Sequence, residues 1–243
     1  MDEKIWKIKK VLAKHYDELC LQLPSYIRAQ QLVGNCINTI CKTSGKNINN
    51  ILEVGCGTGI TTGEILANCD NVTIQAIEPD NSMLHFAKKR TNIFNNRISF
   101  VNSDIFSYYD DIKDDKKKFD HIVCTFTLHN LDLSIQREAL NIFRNLITDN
   151  GYLFIADYII RRGVDRVACF CNHVDDLFNV LVAKNEIVTL KEWIKHSFED
   201  FQDTRVQNEN SLIKMIEECG FCDSTVQVSG NLETIITCRP KSG

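Results

Sequence analysis

Three glycines at alternate positions follow a short apolar run in Ile51-Leu-Glu-Val-Gly-Cys-Gly-Thr-Gly-Ile60. This stretch constrains the fold more than any other. The apolar residues predict a strand over 51–54, and helical spacing predicts a helix over 61–69. Glycine lets the main chain turn sharply and lets a ligand approach it closely. The N-terminus of the following helix offers unpaired N–H groups. A dinucleotide-binding loop needs G-x-G-x-x-G. Counted from Gly55 the last position falls on Ile60, and counted from Gly57 it falls on Thr62, so that register fails.

The rest of the chain repeats the alternation. Strands are expected over 72–77, 98–101, 119–126 and 152–156, with helices over 81–90 and about Ile135, Ala139, Ile142, Phe143 and Leu146 between them. Asp80 or Asn81 caps the helix at 81–90, 110–118 is a charged loop or helix end, and Asp149-Asn150-Gly151 is a turn. Alternating strands and helices imply parallel pairing with right-handed crossovers. Apolar strands such as HIVCTF and YLFIA suit a sheet covered on both faces. Residues 225–228 and 233–238 predict a terminal hairpin, preceded by a helix over 211–219 that stops at Gly220. Helical spacing also marks 4–20 and 26–41.

Between 158 and 208 the alternation stops. Val164, Val167, Ala168, Cys171, Val174, Leu177, Phe178 and Leu181 form one long stripe, and Thr189-Leu-Lys-Glu192 reads as a capping box opening a second helix. The segment is too long for an ordinary connection and is expected to be a helical insertion.

The loop reads E-x-G-x-G-x-G, with Glu53 two residues before the first glycine, and Glu78 closes the second strand. Together with Asn102-Ser-Asp-Ile105, Phe119-Asp-His-Ile-Val-Cys-Thr-Phe-Thr-Leu-His-Asn-Leu131 and Gly151-Tyr-Leu-Phe-Ile-Ala-Asp157, this resembles the class I S-adenosylmethionine-dependent methyltransferases over about residues 50–160. The resemblance implies a Rossmann-like, seven-stranded, mostly parallel α/β sheet with helices on both faces and a C-terminal antiparallel hairpin. It implies N-terminal helices (1–45) over the cofactor, a core of 46–157 and 209–243, and a lid of 158–208. The implied cofactor is S-adenosyl-L-methionine, with S-adenosyl-L-homocysteine as product. Its site would comprise Glu53 near the methionine amine, Gly55, Cys56, Gly57, Thr58, Gly59, Glu78 on the ribose hydroxyls, Pro79, Met83, Asp104 near the adenine amine, Ile105 and Thr125. Tyr16 and Tyr26 would close over the methionine end.

Methyl transfer from a sulfonium depends mainly on alignment, and a base is needed only where the acceptor arrives protonated. His129, in the loop after the fourth strand, is the first candidate base, because imidazole titrates near neutrality. Asp157 stands at the same edge. Packing is the competing role for His129, capping for Asp157. Arg161, Arg162, Arg166 and His173 of the insertion are candidates to clamp an anionic acceptor, and the competing role for the arginines is a solvated face. No metal is expected. Cys169, Cys171 and His173 with Cys219-x-x-Cys222 offer one C-x-x-C only, and it straddles a helix stop.

Composition narrows the partners. The 243 residues carry 28 Lys plus Arg against 32 Asp plus Glu, a formal charge of -4. That disfavours nucleic acid held by counterion release and favours a small-molecule acceptor. A tRNA-modifying enzyme, using a carboxylated form of the cofactor, and a non-catalytic cofactor-binding subunit are the alternatives. There is no apolar run long enough to span a membrane and no export signal at the N-terminus. The eleven cysteines therefore read as reduced, in a cytoplasmic monomer or homodimer.

Overall fold

The computed structural model describes residues 16–202 and 205–242. Of the helix expected over 4–20, residues 4–15 lie outside the described residues, and 16–20 are helical. Helix α1 (Pro24–Thr43) starts on its proline, which has no N–H to leave unpaired there. There follow β1 (Asn49–Val54), α2 (Ile60–Asn68), β2 (Val72–Ile77), α3 (Asn81–Arg90), β3 (Ile98–Val101), α4 (Ile105–Ile112) and β4 (Phe119–Thr125). Then come α5 (Leu133–Leu146), β5 (Ile147–Tyr158), α6 (Arg166–Ala183), α7 (Ile187–Gln202), α8 (Glu209–Glu218), β6 (Phe221–Val228) and β7 (Glu233–Pro240).

The strands form a seven-stranded sheet in the order β3-β2-β1-β4-β5-β7-β6. β1 to β5 pair in parallel, and β7 runs antiparallel to both β5 and β6. After β1 the chain builds outward to β3, then returns to place β4 on the other side. The carboxyl ends of β1 and β4 therefore bound the crevice where open α/β sheets bind ligands.

Alternating strand residues divide the core. Ile51, Ile74, Val123 and Phe154 face a layer built by α1, α2 and α3. Leu52, Ile122, Leu153 and Ile155 face α4, α5 and α8. Each such side chain, fully buried, contributes about 1.5–3 kcal/mol. A smaller cluster of Ile160, Cys169, Phe201, Val206 and Leu232 seats α6 and the end of α7 on the terminal hairpin. The eleven cysteines are unpaired, and Cys124 and Cys238 are wholly buried in β4 and β7.

Two expectations change, one helix is added and one choice between caps is settled. Residues 105–112 form α4, which buries only Ile105 and Tyr108 and so leaves a weak periodic signal. Asp149-Asn150-Gly151 is strand, not turn: β5 is continuous from Ile147, and its extra length is taken up by an irregular register opposite Phe119 and His121. Helix α7 starts at Ile187, so Thr189 is no N-cap. It lies in the first turn, and its hydroxyl donates to Glu186 at 2.9 Å. Of the two capping candidates for α3, Asp80 is the cap, accepting from the N–H groups of Ser82 and Met83.

Candidate active site

A cavity of about 420 Å³ opens at the carboxyl ends of β1, β2 and β4. The glycine loop forms its floor. Gly55 and Cys56 both donate to the Ile77 carbonyl (3.0 and 3.1 Å), which ties the loop to β2. Gly55 has φ +70°, and a Cβ there would lie 2.3 Å from Thr127 Oγ1, so only glycine fits. At Gly57, φ is +54°, yet an added Cβ would meet nothing within 4 Å. The difference marks Gly55 as a packing position and Gly57 as backbone open to a ligand.

Glu78 holds the loop from the far side. Its carboxylate accepts from Gly57 N–H through one oxygen and from Asp80 N–H through the other, both at 2.9 Å. Each oxygen keeps a lone pair for a ligand hydroxyl. Burial raises the Glu78 pKa, and the two N–H donors oppose that rise. Thr58 is held by Asp17, which accepts from its hydroxyl and pairs with Arg90, while Arg90 Nε donates to the Thr58 carbonyl at 3.0 Å. On the adjoining wall Thr61 and Thr125 hydroxyls lie 2.7 Å apart.

Of the residues assigned to the cofactor, the cavity wall takes in Gly55, Cys56, Gly57, Thr58, Glu78, Met83 and Thr125, with Tyr16 and Tyr26. Five stand off it. Glu53 lies behind the loop, 0% exposed, accepting from the Thr62 hydroxyl at 2.6 Å, with Oε1 lacking a protein partner. Burial lifts its carboxyl to about 8. Gly59 is the left-handed residue before α2, packed on Ala87. Pro79 offers its carbonyl to Asn102. Asp104 caps α4, accepting from Phe106 and Ser107 N–H at 2.9 Å, and Ile105 is core.

Beside the cavity, a recess that shares Tyr16, Phe126, Asn130, His196 and Asp200 with it is lined by His129, whose partner is Asp157. His129 Nδ1 is hydrogen-bonded to one Asp157 oxygen, and the second accepts the His129 backbone N–H at 3.2 Å. The pair is buried, at 6% and 2% exposure. Burial would lower the imidazole pKa, but the Asp157 charge and hydrogen bond outweigh it and the net shift is upward. Phe126, which leads into this loop, has φ +49°, a strained value for a bulky residue. Its N–H to the Ala156 carbonyl (2.7 Å) and its stacking 4.4 Å from Tyr26 hold it there.

The insertion residues behave differently. Arg166 donates to the carbonyls of Phe201 and Val206, tying α6 to the end of α7. Arg162 is exposed, and neither it nor Arg161 reaches the cavity. His173 lines the recess beside the cavity, buried and bonded to the Ser197 hydroxyl at 3.1 Å, and burial pushes its imidazole down to about 4. The insertion contributes instead through α7, whose His196, Glu199 and Asp200 line the cavity together with Arg205. Sequence reasoning also missed Thr61, Thr127 and Asn130. Their positions just after the glycine loop and β4 were the available signal. For α7 there was none, because its stripe does not say which turn meets the sheet.

Seven strands in this order, with a glycine loop after β1 and an acid after β2, define the Rossmann-like methyltransferase fold. The family described as "Methyltransferase domain" matches residues 52–153. A malonyl-[acyl-carrier protein] O-methyltransferase of Acetivibrio thermocellus is 30% identical over 84 residues, which span 35% of this chain and 30% of that protein. An uncharacterized methyltransferase of Anoxybacillus flavithermus is 28% identical over 50% of this chain and 51% of its own length. The N-methyltransferase NodS from Bradyrhizobium japonicum, solved with S-adenosyl-L-homocysteine, superposes with a TM-score of 0.57 at 16% identity, covering 90% of this chain and 89% of NodS. The methyltransferase-domain match over 52–153 and the fold together resemble the class I S-adenosylmethionine-dependent methyltransferases. No helix among the described residues is long and apolar enough to cross a membrane.

The residues present fit that family's cofactor. The Glu78 oxygens suit a ribose diol, and the open face at Gly57 admits a ligand against the backbone.

Proposed function

We propose that this chain transfers a methyl group from S-adenosyl-L-methionine to a nitrogen or oxygen of a small-molecule acceptor. The observation that carries the reading is a cavity floored by a glycine loop anchored on the Glu78 carboxylate, adjoined by a recess lined by His129, which is held by the buried Asp157. Glu78, Gly57, Met83 and Thr125 would hold the cofactor, with Tyr16 and Tyr26 over its methionine end. The cofactor supplies an electrophilic methyl on a positively charged sulfur. Asp157 holds the His129 ring by Nδ1 and leaves Nε2 toward the acceptor, where it takes the proton an incoming N–H or O–H must lose. The described part of residues 1–45 serves as cover, and 158–208 as a lid that supplies the acceptor wall. The remaining expectations, a cytoplasmic protein acting as monomer or homodimer, stand as part of this reading.

The test is transfer of radiolabelled methyl from the cofactor to panels of small amines and alcohols, with bulk tRNA as a third arm. Label on a small acceptor that disappears with His129→Ala supports the reading. Label on tRNA alone overturns the small-molecule assignment.

A further inference from the structure

The acceptor end has a chemistry of its own. A recess of about 30 Å³ leads off the main cavity between α7 and the carboxyl ends of β4 and β5. Five of its lining residues are aromatic: Tyr16, Phe126, Tyr158, Trp193 and Phe201. The Tyr16 and Trp193 centroids are 6.0 Å apart, and those of Phe126 and Tyr158 are 5.3 Å apart. His129 and Asp200 supply polar edges, and Glu199 stands exposed on the rim of the larger cavity. Aromatic faces carry partial negative charge and attract an ammonium group, most strongly where water is excluded.

The charges point the same way. Asp157, Glu199 and Asp200 surround this end, while Arg205 is the one guanidinium on either wall and no lysine is present among the described lining residues. Arg205 is shared between Asp132 at 3.0 Å and Asp200 at 3.8 Å. Burial drives His173 and His196 toward the neutral form. Burial raises the Asp200 pKa, and the neighbouring His129, His196 and Arg205 oppose that rise, while Asp157 and Glu199 add acidic groups at this end. An anionic acceptor would meet a single guanidinium, Arg205, already shared between Asp132 and Asp200. A cation would offset the desolvation of Asp200, which is 5% exposed.

We propose that the ring-lined recess seats the ammonium nitrogen of a primary or secondary amine, so that the acceptor is a cationic amine and the modified atom is nitrogen. This rests on the methyl-transfer reading and narrows it. The ammonium gives one proton to His129 Nε2. The lone pair so freed forms the bond to the methyl carbon and displaces sulfur with its bonding pair. The product is a methylated ammonium, and the proton released is the one on His129.

The experiment is calorimetry on protein saturated with S-adenosyl-L-homocysteine, using benzylamine and phenethylamine against phenylacetate and 3-phenylpropionate. The amines are expected to bind at least about tenfold more tightly than their carboxylate counterparts, and Asp200→Asn to weaken them by about tenfold. Affinity for S-adenosyl-L-homocysteine stays unchanged in that variant. Glu199→Gln, at an exposed position, gives a smaller loss and keeps the test decisive where Asp200→Asn does not fold. Carboxylates binding as tightly as amines, no amine binding at all, or amine affinity indifferent to both substitutions overturns the proposal. Failure of S-adenosyl-L-homocysteine itself to bind is a separate result, and removes the cofactor reading instead.

Discussion

The two ends of the central cavity are built by different rules. The glycine-loop end comes from two short stretches, 53–62 and 77–83, joined by backbone hydrogen bonds between neighbouring parallel strands. The proposed acceptor end collects Tyr16, Phe126, His129, Asp157, Tyr158, Trp193, Asp200 and Arg205 from separate elements. The first is determined locally, by positive-φ glycines and a carboxylate that bridges two N–H groups. The second depends on how α7 rotates and docks. On the proposed reading, the glycine loop fixes the cofactor while α7 shapes the acceptor wall.

Substitutions at the two ends should separate accordingly. The largest effect is expected from His129→Ala, which should lower turnover by about 10²–10⁴-fold. Affinity for S-adenosyl-L-homocysteine should stay unchanged by calorimetry, and a parallel loss of that affinity would mean the two ends are not independent.

Next come the glycines. Gly55→Ala forces a Cβ onto Thr127 at a left-handed φ and should destabilise the fold by about 3 kcal/mol in urea unfolding. Gly57→Ala meets nothing and should cost only about 1–2 kcal/mol, while abolishing cofactor-product binding. Equal unfolding midpoints for the two variants would remove the distinction between a packing and a ligand-facing glycine.

Glu53 gives a pH signature confined to the cofactor end. Its carboxyl is raised by burial from 4.5 to about 8 in the fold. A raised pKa means that the stabilising, protonated form is fully present below the unfolded value. Its contribution is lost as pH climbs from about 4.5 through about 8. Ligand-free protein should therefore lose on the order of a few kcal/mol across that window. Glu53→Gln, which keeps an acceptor for the Thr62 hydroxyl, should flatten the difference curve, and a parallel curve would contradict the assignment.

The smallest effects are expected from the arginines of the insertion. Arg166→Ala should cost about 1–2 kcal/mol through lost bonds to two carbonyls. Arg162→Ala should change stability by less than about 0.5 kcal/mol. Neither should change acceptor KM, and a raised KM with anionic acceptors would restore the anion-clamp role.

The same contrast explains what the sequence made legible. β2, β3 and α3 were read to the residue, because their apolar spacing and the Asp80 cap are local signals. Glu78 lies on the cavity wall, where its place at a strand end puts it. Helix α4 was missed because eight residues with two buried side chains carry little periodicity. The acceptor wall was placed on the arginines of α6 because charge is visible in a sequence and helix orientation is not. Three-dimensional packing turned Arg166 toward carbonyls and brought Asp200, four residues after His196, to the cavity. Asp17, which clamps Thr58 from the N-terminal segment, had no sequence signal at all.

The most direct test of the central claim is a calorimetric titration of S-adenosyl-L-homocysteine into the wild-type chain and Glu78→Ala. The wild type should bind with a Kd on the order of micromolar. Glu78→Ala should weaken binding by about 10–100-fold, as expected for removing a charged hydrogen-bond acceptor. No binding to the wild type, or equal binding to both proteins, would contradict a cofactor site built on the glycine loop and Glu78.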